Sequence, residues 1–433
     1  MKQTKTILFL LIAALSFSAC DKNRIDPIDI EPPYLEGIIS KVTLNEEQKA
    51  YVGAGNNFAI KSLKAIYEQE KKNVIFSPLS LQYALALTAN GASGETAAEI
   101  VNTLGYGEDQ KALNDYCNLL LKQLPALDDS VEVKLVNAVV VNDRFRVHND
   151  FRKTAEKVYY APVEYLKVTN KKVVVDRINE WAHRNTNGFI SPFLNERDIP
   201  NNFAAAILNA LYFKSKWSEV DGESMFLKEA TLKSQPFYLD GGGQSKVDYM
   251  TTGKYLRYGK MGDNKILELP YAHGNYVMYI ILPDSKGKNG VERLLSYMTQ
   301  EKWSKALSSM SKDALVRVRL PKFEVENKYI LNNTLIALGI RRAFDPGKAQ
   351  LDKLLHSPGS ESFYIDRVIQ KARINVAEWG TEAAAVTAVM IGFTSTGPQP
   401  EKIVDFYADH PFVYTIVEKT SGVMLFAGVF NSL

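Results

Sequence analysis

What this chain has little of narrows its chemistry. Its 433 residues include two cysteines, Cys20 and Cys117. No disulfide framework can be built from these within a mature domain, and no clustered Cys/His spacing marks a metal site. The five histidines are scattered, and none falls in a His-Glu-x-x-His run. His410, in "ADHPF", has the setting of a structural histidine rather than a base. Phosphate loops are missing: "GAGNNF" at 53–58 lacks the preceding strand and the third glycine of a dinucleotide fingerprint. "NGASGE" fails the spacing of a nucleophile elbow. No stretch approaches the roughly 18–20 apolar residues that a membrane span needs. Neither sign of charge dominates, since 52 Lys and Arg face 49 Asp and Glu for a net +3. That balance gives no footprint for nucleic acid. Cys117, in "NDYCNLL", has no identifiable cationic partner and reads as a buried structural thiol. The sequence therefore implies no metal, no cofactor and no catalytic residues.

What is present is an ordinary globular balance, 46% hydrophobic and 23% charged, with ample material for a large core. The first residues, "MKQTKTILFLLIAALSFSAC", place Lys2 and Lys5 before a short apolar stretch that ends in small residues. This is the pattern of a secretion signal over 1–19. "SFSAC" resembles a bacterial lipobox, which makes Cys20 the expected lipid anchor and the first mature residue. Residues 20–44 then read as an acidic, Pro-rich tether, and 45–433 as one α+β domain. The expected location is across the inner membrane, in the cell envelope as an outer-membrane lipoprotein or outside the cell. Membrane contact is expected through the anchor alone.

Along the domain, Phe58, Leu63, Ile66 and Tyr67 recur at helical spacing. "VIFSPLSLQYALALTANG" reads as a short strand, a Ser-Pro break and a helix, with Ser80 as a cap or early helical residue. Glu95–Leu104 makes another helix, and "DRINEWAHRNTNG" one that closes near Gly188. The near-continuous apolar runs at 133–145 and in "FAAAILNALYFKSKW" predict buried strands. After 220 the pattern turns to β, with strands expected at 235–239, 246–250, 255–260, 265–270, 276–283 and 315–323. Helices are expected at 291–309 and 327–339, and hairpin-type turns at 240–245 and 284–290.

One stretch resists classification. "EWGTEAAAVTAVMIGFTSTGPQP" at 378–400 is Ala-rich like a helix, follows the strand-like "VIQKARINVAE", and ends in loop chemistry. Between Thr381 and Pro400 its one charge is Glu382. At period two, Thr381, Ala383, Ala385 and Thr387 share a face that Val389 and Ile391 continue.

Several blocks in order carry a resemblance. "DFYADHPFVYTIVEKTSGVMLFAGVFN" resembles the signature of the serpins, the suicide inhibitors of proteases. "NVIFSPLSLQYALALTANGASGETAAEI", "LNALYFKSKW", "LPKFEVENKYILNNTLIALGIRRAFD" and "INVAEWGTEAAAVTA" resemble further family blocks, together spanning about 55–431. The resemblance implies three β-sheets, eight or nine helices and an exposed reactive-centre loop. It implies a monomer without a cofactor that traps target serine proteases, with cysteine proteases as a second class. After cleavage the loop would enter the main sheet and hold the acylated protease. A non-inhibitory binding or carrier protein of the same fold is the alternative.

On that resemblance the hinge comprises Glu378, Gly380, Thr381, Glu382, Ala383, Ala384 and Ala385. Small side chains suit a segment that a parting sheet must admit, and a charge at 381 or 383 would be costly to bury. From Thr381 to Thr394 an extended strand spans about 46 Å at roughly 3.3 Å per residue. The family spacing from Gly380 places the reactive bond at Thr394–Ser395, and a shift of one residue makes it Phe393–Thr394. The first favours elastase-like or subtilisin-like proteases, the second chymotrypsin-like ones. A sheet-opening cluster is expected from Ser77, Asn209 and Gln370, where Gln370 stands in place of a histidine common in the family. Trp379 is bulkier than the usual hinge neighbour.

Overall fold

Alternation and capping set most of the architecture in the computed structural model, which describes residues 38–107, 109–286, 289–359, 361–381 and 402–432. Nine α-helices lie within the described residues: α1 (Glu46–Glu70), α2 (Pro78–Gly91), α3 (Gly94–Leu104), α4 (Gln110–Gln123), α5 (Asn149–Val158), α6 (Lys171–Asn185), α7 (Gly290–Tyr297), α8 (Gln300–Ser308) and α9 (Asn332–Leu338). Asn45 starts α1 with a reciprocal capping box to Gln48. Ser77 rather than Ser80 caps α2: its hydroxyl oxygen accepts the Ser80 N–H at 3.1 Å, and Pro78 occupies the first turn.

Three main sheets assemble around these helices. The sheet that matters most has the order β12 (Phe323–Ile330), β14 (Ile369–Ala377), β15 (Gly380–Thr381), β5 (Ala205–Lys216), β2 (Val131–Asn142), β4 (Val163–Leu166). A second contains β1 (Val74–Phe76), β18 (Met424–Phe430), β17 (Phe412–Glu418), β10 (Tyr276–Leu282), β9 (Asn264–Tyr271) and β8 (Tyr258–Met261). Strands β10, β17 and β18 are buried at every residue, which is why they read as unbroken apolar runs. The third is β16 (Ile403–Tyr407), β11 (Leu315–Pro321), β7 (Gln244–Tyr255) and β6 (Leu232–Tyr238); a small pair joins β3 (Arg146–Val147) to β13 (Leu355–His356). Helix α2 packs between the first two sheets, against β5 and β18.

Several expected boundaries move. The strand expected at 315–323 divides at Lys322, with β11 in the small sheet and β12 in the main one. Residues 327–330 are strand and not helix, because "FEVENKYI" alternates and buries Phe323, Val325 and Tyr329. The helix expected at 291–309 is two helices, since Thr299 caps α8 anew. The segment from 284 leads from β10 into α7 and is not a hairpin turn, whereas Asp240–Gly243 does join β6 to β7.

The main sheet is in two regular halves. β2 and β5 pair without a bulge from Val131↔Ser215 to Val141↔Ala205, and β12 and β14 from Phe323↔Val376 to Ile330↔Ile369. Among the described residues, β15 alone joins these halves, so β5 and β14 run parallel with an antiparallel stub between them at one end. Beyond the stub a cavity of about 450 Å³ is lined by residues of both strands, Ala205 to Leu211 and Ile369 to Ala372, and by Ser77 of the α2 cap.

Candidate functional site

The chemistry of the site begins at a two-residue hairpin. β14 ends at Ala377, Glu378 and Trp379 make the turn, and Gly380 returns the chain as β15. Gly380 pairs with Lys216 on one side and Ala377 on the other; Thr381 pairs with Ser215 and Val376. Gly380 has φ of 151°, and a Cβ there would lie 2.0 Å from the Ser215 carbonyl oxygen. Only a residue without a side chain lets the backbone approach β5 so closely.

Trp217, immediately after β5, pins the hairpin twice. Its indole N–H donates to the Ala377 carbonyl at 2.8 Å and its backbone N–H to the Trp379 carbonyl at 3.0 Å. The indole stacks on Tyr271 at 4.5 Å and 10°. Tyr271 is fully buried, which pushes its phenol well above the usual range, and its hydroxyl hydrogen-bonds the Thr381 hydroxyl. Thr381, 3% exposed, is therefore already a core residue.

Glu378 sits at the turn with its carboxylate shared. The Thr231 hydroxyl donates to it at 2.7 Å and the Lys322 ammonium approaches at 3.0 Å. Burial alone would push this carboxyl up; the Thr231 hydrogen bond and Lys322 outweigh it and hold the group below its ordinary value. The ion pair ties the hinge to the junction of β11 and β12, where Lys322 lies.

Deeper in the sheet, Ser77 and Gln370 come together. The Gln370 side chain accepts the Ser77 N–H at 3.1 Å and donates to the Ser77 carbonyl at 2.9 Å, while the Ser77 hydroxyl donates to the Leu425 carbonyl at 2.8 Å. This reciprocal pair clips β14 to the cap of α2, using both faces of an amide where one imidazole nitrogen would make one bond. Asn209 turns away from that pair. It donates to Asn137 Oδ1 at 2.6 Å, and Asn137 in turn donates to the Tyr159 carbonyl at 2.9 Å.

Of the expected hinge, Glu378, Gly380 and Thr381 are described. Glu382, Ala383, Ala384 and Ala385, the bond candidates Phe393, Thr394 and Ser395, and the anchor Cys20 lie outside the described residues. Sequence reasoning missed Thr231, Tyr271 and Lys322, because each reaches the turn from a part of the chain distant in sequence, Tyr271 from the end of β9 and the other two from the residues just before β6 and β12, and no local pattern marks it. Cys117 is buried, which pushes its thiol up to about 12 and leaves it a poor nucleophile. Among the described residues one group, Asp128, Asp129 and His273, has metal-ligand spacing. Its buried Asp128 carboxylate is already engaged by His273 Nδ1 at 2.8 Å and by two backbone N–H groups. No helix of the described residues is long and apolar enough to cross a membrane.

Residues 53–433 match the family profile described as Serpin (serine protease inhibitor). Iripin-2 of Ixodes ricinus is 31% identical over 395 residues, 90% of this chain and 95% of that protein. The leukocyte elastase inhibitor of Homo sapiens is 30% identical over 386 residues, 88% of this chain and 98% of that protein. Among solved structures, the thermophilic serpin Tengpin in its native state superposes with a TM-score of 0.80 at 28% identity, covering 92% of this chain and 97% of that one. With fold and profile in agreement, the chain belongs to the serpin family of serine protease inhibitors, which are not enzymes.

Proposed function

We propose that this protein is a suicide inhibitor of serine proteases, with cysteine proteases as a second class. The single observation that carries this reading is the seating of Gly380 and Thr381 between β5 and β14. A strand that has already begun in the main sheet needs only release of its far end to continue. The residues that follow, Glu382 to Thr387, carry no bulky side chain and one charge. Cleavage supplies the release. The protease serine attacks the bait carbonyl, the acyl-enzyme forms, and the freed segment 382–391 extends the ladder before water resolves the ester. Each added ladder hydrogen bond contributes about 0.5–1.5 kcal/mol, so the uncut form is held by its tied loop, a kinetic trap.

The bait bond of this reading is Thr394–Ser395, which suits elastase-like or subtilisin-like proteases; Phe393–Thr394 would suit chymotrypsin-like ones. Lipid on Cys20 would place the inhibitor on a bacterial cell envelope, acting as a monomer at the end of its tether. The test is incubation with pancreatic elastase, subtilisin and chymotrypsin. An adduct surviving SDS supports the reading, and sequencing the released fragment assigns the bond. Cleavage by all three without any adduct would overturn it in favour of a non-inhibitory carrier. Cys20→Ser should move the protein from the membrane fraction to the soluble one.

A further inference from the structure

Outside the three main sheets, in the small pair of β3 and β13, two imidazoles lie face to face. His148 stands between β3 and α5, and His356 ends β13. Their ring centroids are 3.4 Å apart and their planes 29° from parallel. The backbone explains the meeting. β3 and β13 are antiparallel, with Val147 opposite Leu355 and Arg146 opposite His356. The His148 N–H donates to the Leu354 carbonyl at 3.1 Å, so the pairing runs one residue past β3. Two residues on from Arg146, His148 returns to the face that His356 shares, and the two rings are diagonal neighbours. Among the described residues neither ring makes a hydrogen bond, so the stack is what joins them.

The pair has something to hold. A ladder of two residues a side is marginal by itself. It ties the segment 350–356, which is also held by the Ser93 N–H on the Gln350 carbonyl at 2.9 Å and the Lys353 N–H on the Gly91 carbonyl at 3.2 Å. Leu354 and Leu355 of this segment, with Phe145 just before β3, line part of the large cavity. The charged groups around the stack are engaged elsewhere. Asp150, in the first turn of α5, pairs with Lys153 at 3.3 Å, and Asp352 accepts from the Ser93 hydroxyl. Arg146 of β3 donates to the Asp143 and Phe145 carbonyls and lies over the Tyr165 ring of β4. Glu361 accepts from the Ser357 hydroxyl. Burial and the His356 ring lower the pKa of His148, against the pull of Asp352 and Asp150.

We infer that the His148–His356 stack is an acid-operated clasp, closed while at most one ring carries a proton and parted when both do. Neutral rings stack, and one charge beside a neutral ring is tolerated. Two unit charges 3.4 Å apart oppose the stack by about eightfold even with the full screening of water, and by more where burial weakens that screening. No carboxylate among the described residues bonds either ring to absorb the second charge. Parting frees 350–356 from β3 and opens the cavity wall behind Leu354 and Leu355. The direction is fixed by His148: a lowered folded value means that its contribution is whole above the unfolded value near pH 6.5 and is lost as pH falls. The clasp stands whether or not the protein inhibits a protease.

Hydrogen exchange of the full chain, read by mass spectrometry at about pH 7.5 and about pH 5 and corrected for intrinsic rates, tests it. In the unaltered chain, protection of 350–356 should fall by about eightfold or more in acid. The buried strands β10 and β17 should keep theirs, which separates local opening from unfolding. His148→Gln and His356→Gln each remove one of the two charges, so each should abolish the acid response, and the double variant should match the singles. His356→Phe keeps an aromatic ring in the stack without a charge and should stay closed at both pH values. Equal protection of the unaltered chain at the two values overturns the clasp. An acid response that survives in any single variant also overturns it, assigning the opening to Asp150 or Asp352. If the glutamine variants are open at both values, His356→Phe decides: closed at both supports the clasp, and open at either overturns it.

Discussion

Gly380→Ala tests the hinge with the smallest possible change. The added methyl would sit 2.0 Å from the Ser215 carbonyl oxygen, 2.7 Å from Lys216 Cα and 2.9 Å from the Ser215 carbonyl carbon. All three are backbone atoms, so no side-chain rotation relieves the overlap. β5 cannot retreat, because its whole length is laddered to β2. The hairpin must therefore lift away. Releasing β15 removes two to four ladder hydrogen bonds at about 0.5–1.5 kcal/mol each. It also strips Tyr271 of its Thr381 partner and leaves a buried hydroxyl unsatisfied, a further cost of about 1–3 kcal/mol. A penalty of about 3–5 kcal/mol at the point where insertion begins should slow that step far more than it slows bond cleavage. If half of it is felt in the insertion barrier, insertion slows by roughly tenfold or more. The assay is the stoichiometry of inhibition, obtained by titrating residual protease activity, together with the ratio of SDS-resistant adduct to cleaved product. The Gly380→Ala protein should shift toward substrate behaviour, its ratio of cleaved product to trapped adduct rising about tenfold or more over the unaltered protein. Unchanged stoichiometry in a folded variant would refute the claim that the seated stub starts insertion.

Other expectations follow from the same geometry. Lys322→Met leaves the mostly buried Glu378 carboxylate with its Thr231 and backbone hydrogen bonds but no ion pair, and should cost roughly 1–2 kcal/mol, a drop of a few degrees in melting temperature. Because Glu378 is held below its ordinary value, its contribution is present above about pH 4.5 and is lost as pH falls through the lower folded value. The gap between wild type and Lys322→Met should therefore close in acid thermal scans. His148 stacks on His356 at 3.4 Å, and burial followed by that neighbour lowers its pKa despite Asp352 and Asp150 nearby. A histidine whose folded value is lowered stabilises fully above the unfolded value near pH 6.5 and loses that contribution as pH falls. His148→Gln should flatten the melting-temperature profile between about pH 7 and 5; an unchanged slope would remove the stack from the account.

Legibility differed by kind of residue. Helices with strong caps or period, such as α1 and α2, and strands buried on both faces could be read from the chain. β12 was not separated from β11, although the apolar alternation changes phase at Lys322, from Val316, Val318 and Leu320 to Phe323 and Val325; that the chain changes sheets there is decided by tertiary structure. Gly380 was legible through the family pattern, in which it precedes the Ala run. Its Cβ-excluding contact with Ser215 was not, since that depends on a strand about 165 residues earlier. Gln370 and Ser77 were named together through the family pattern, and they do meet. Asn209 was named with them, but its amide follows Asn137, a partner that cross-strand register supplies and sequence does not. Trp379, unexplained in sequence, offers its carbonyl to Trp217 and lines a surface groove with Ile38.

The single stub between β5 and β14 has a consequence for the protein in bulk. Two strand edges facing each other across one strand's width form a template that is indifferent to the origin of the strand completing it. On the insertion reading proposed above, the tethered segment would win because its local concentration is set by the chain itself, whereas a neighbouring copy competes at the concentration of the solution. Crowding on a surface, by raising the second without changing the first, shifts the balance from self-completion toward linkage between molecules.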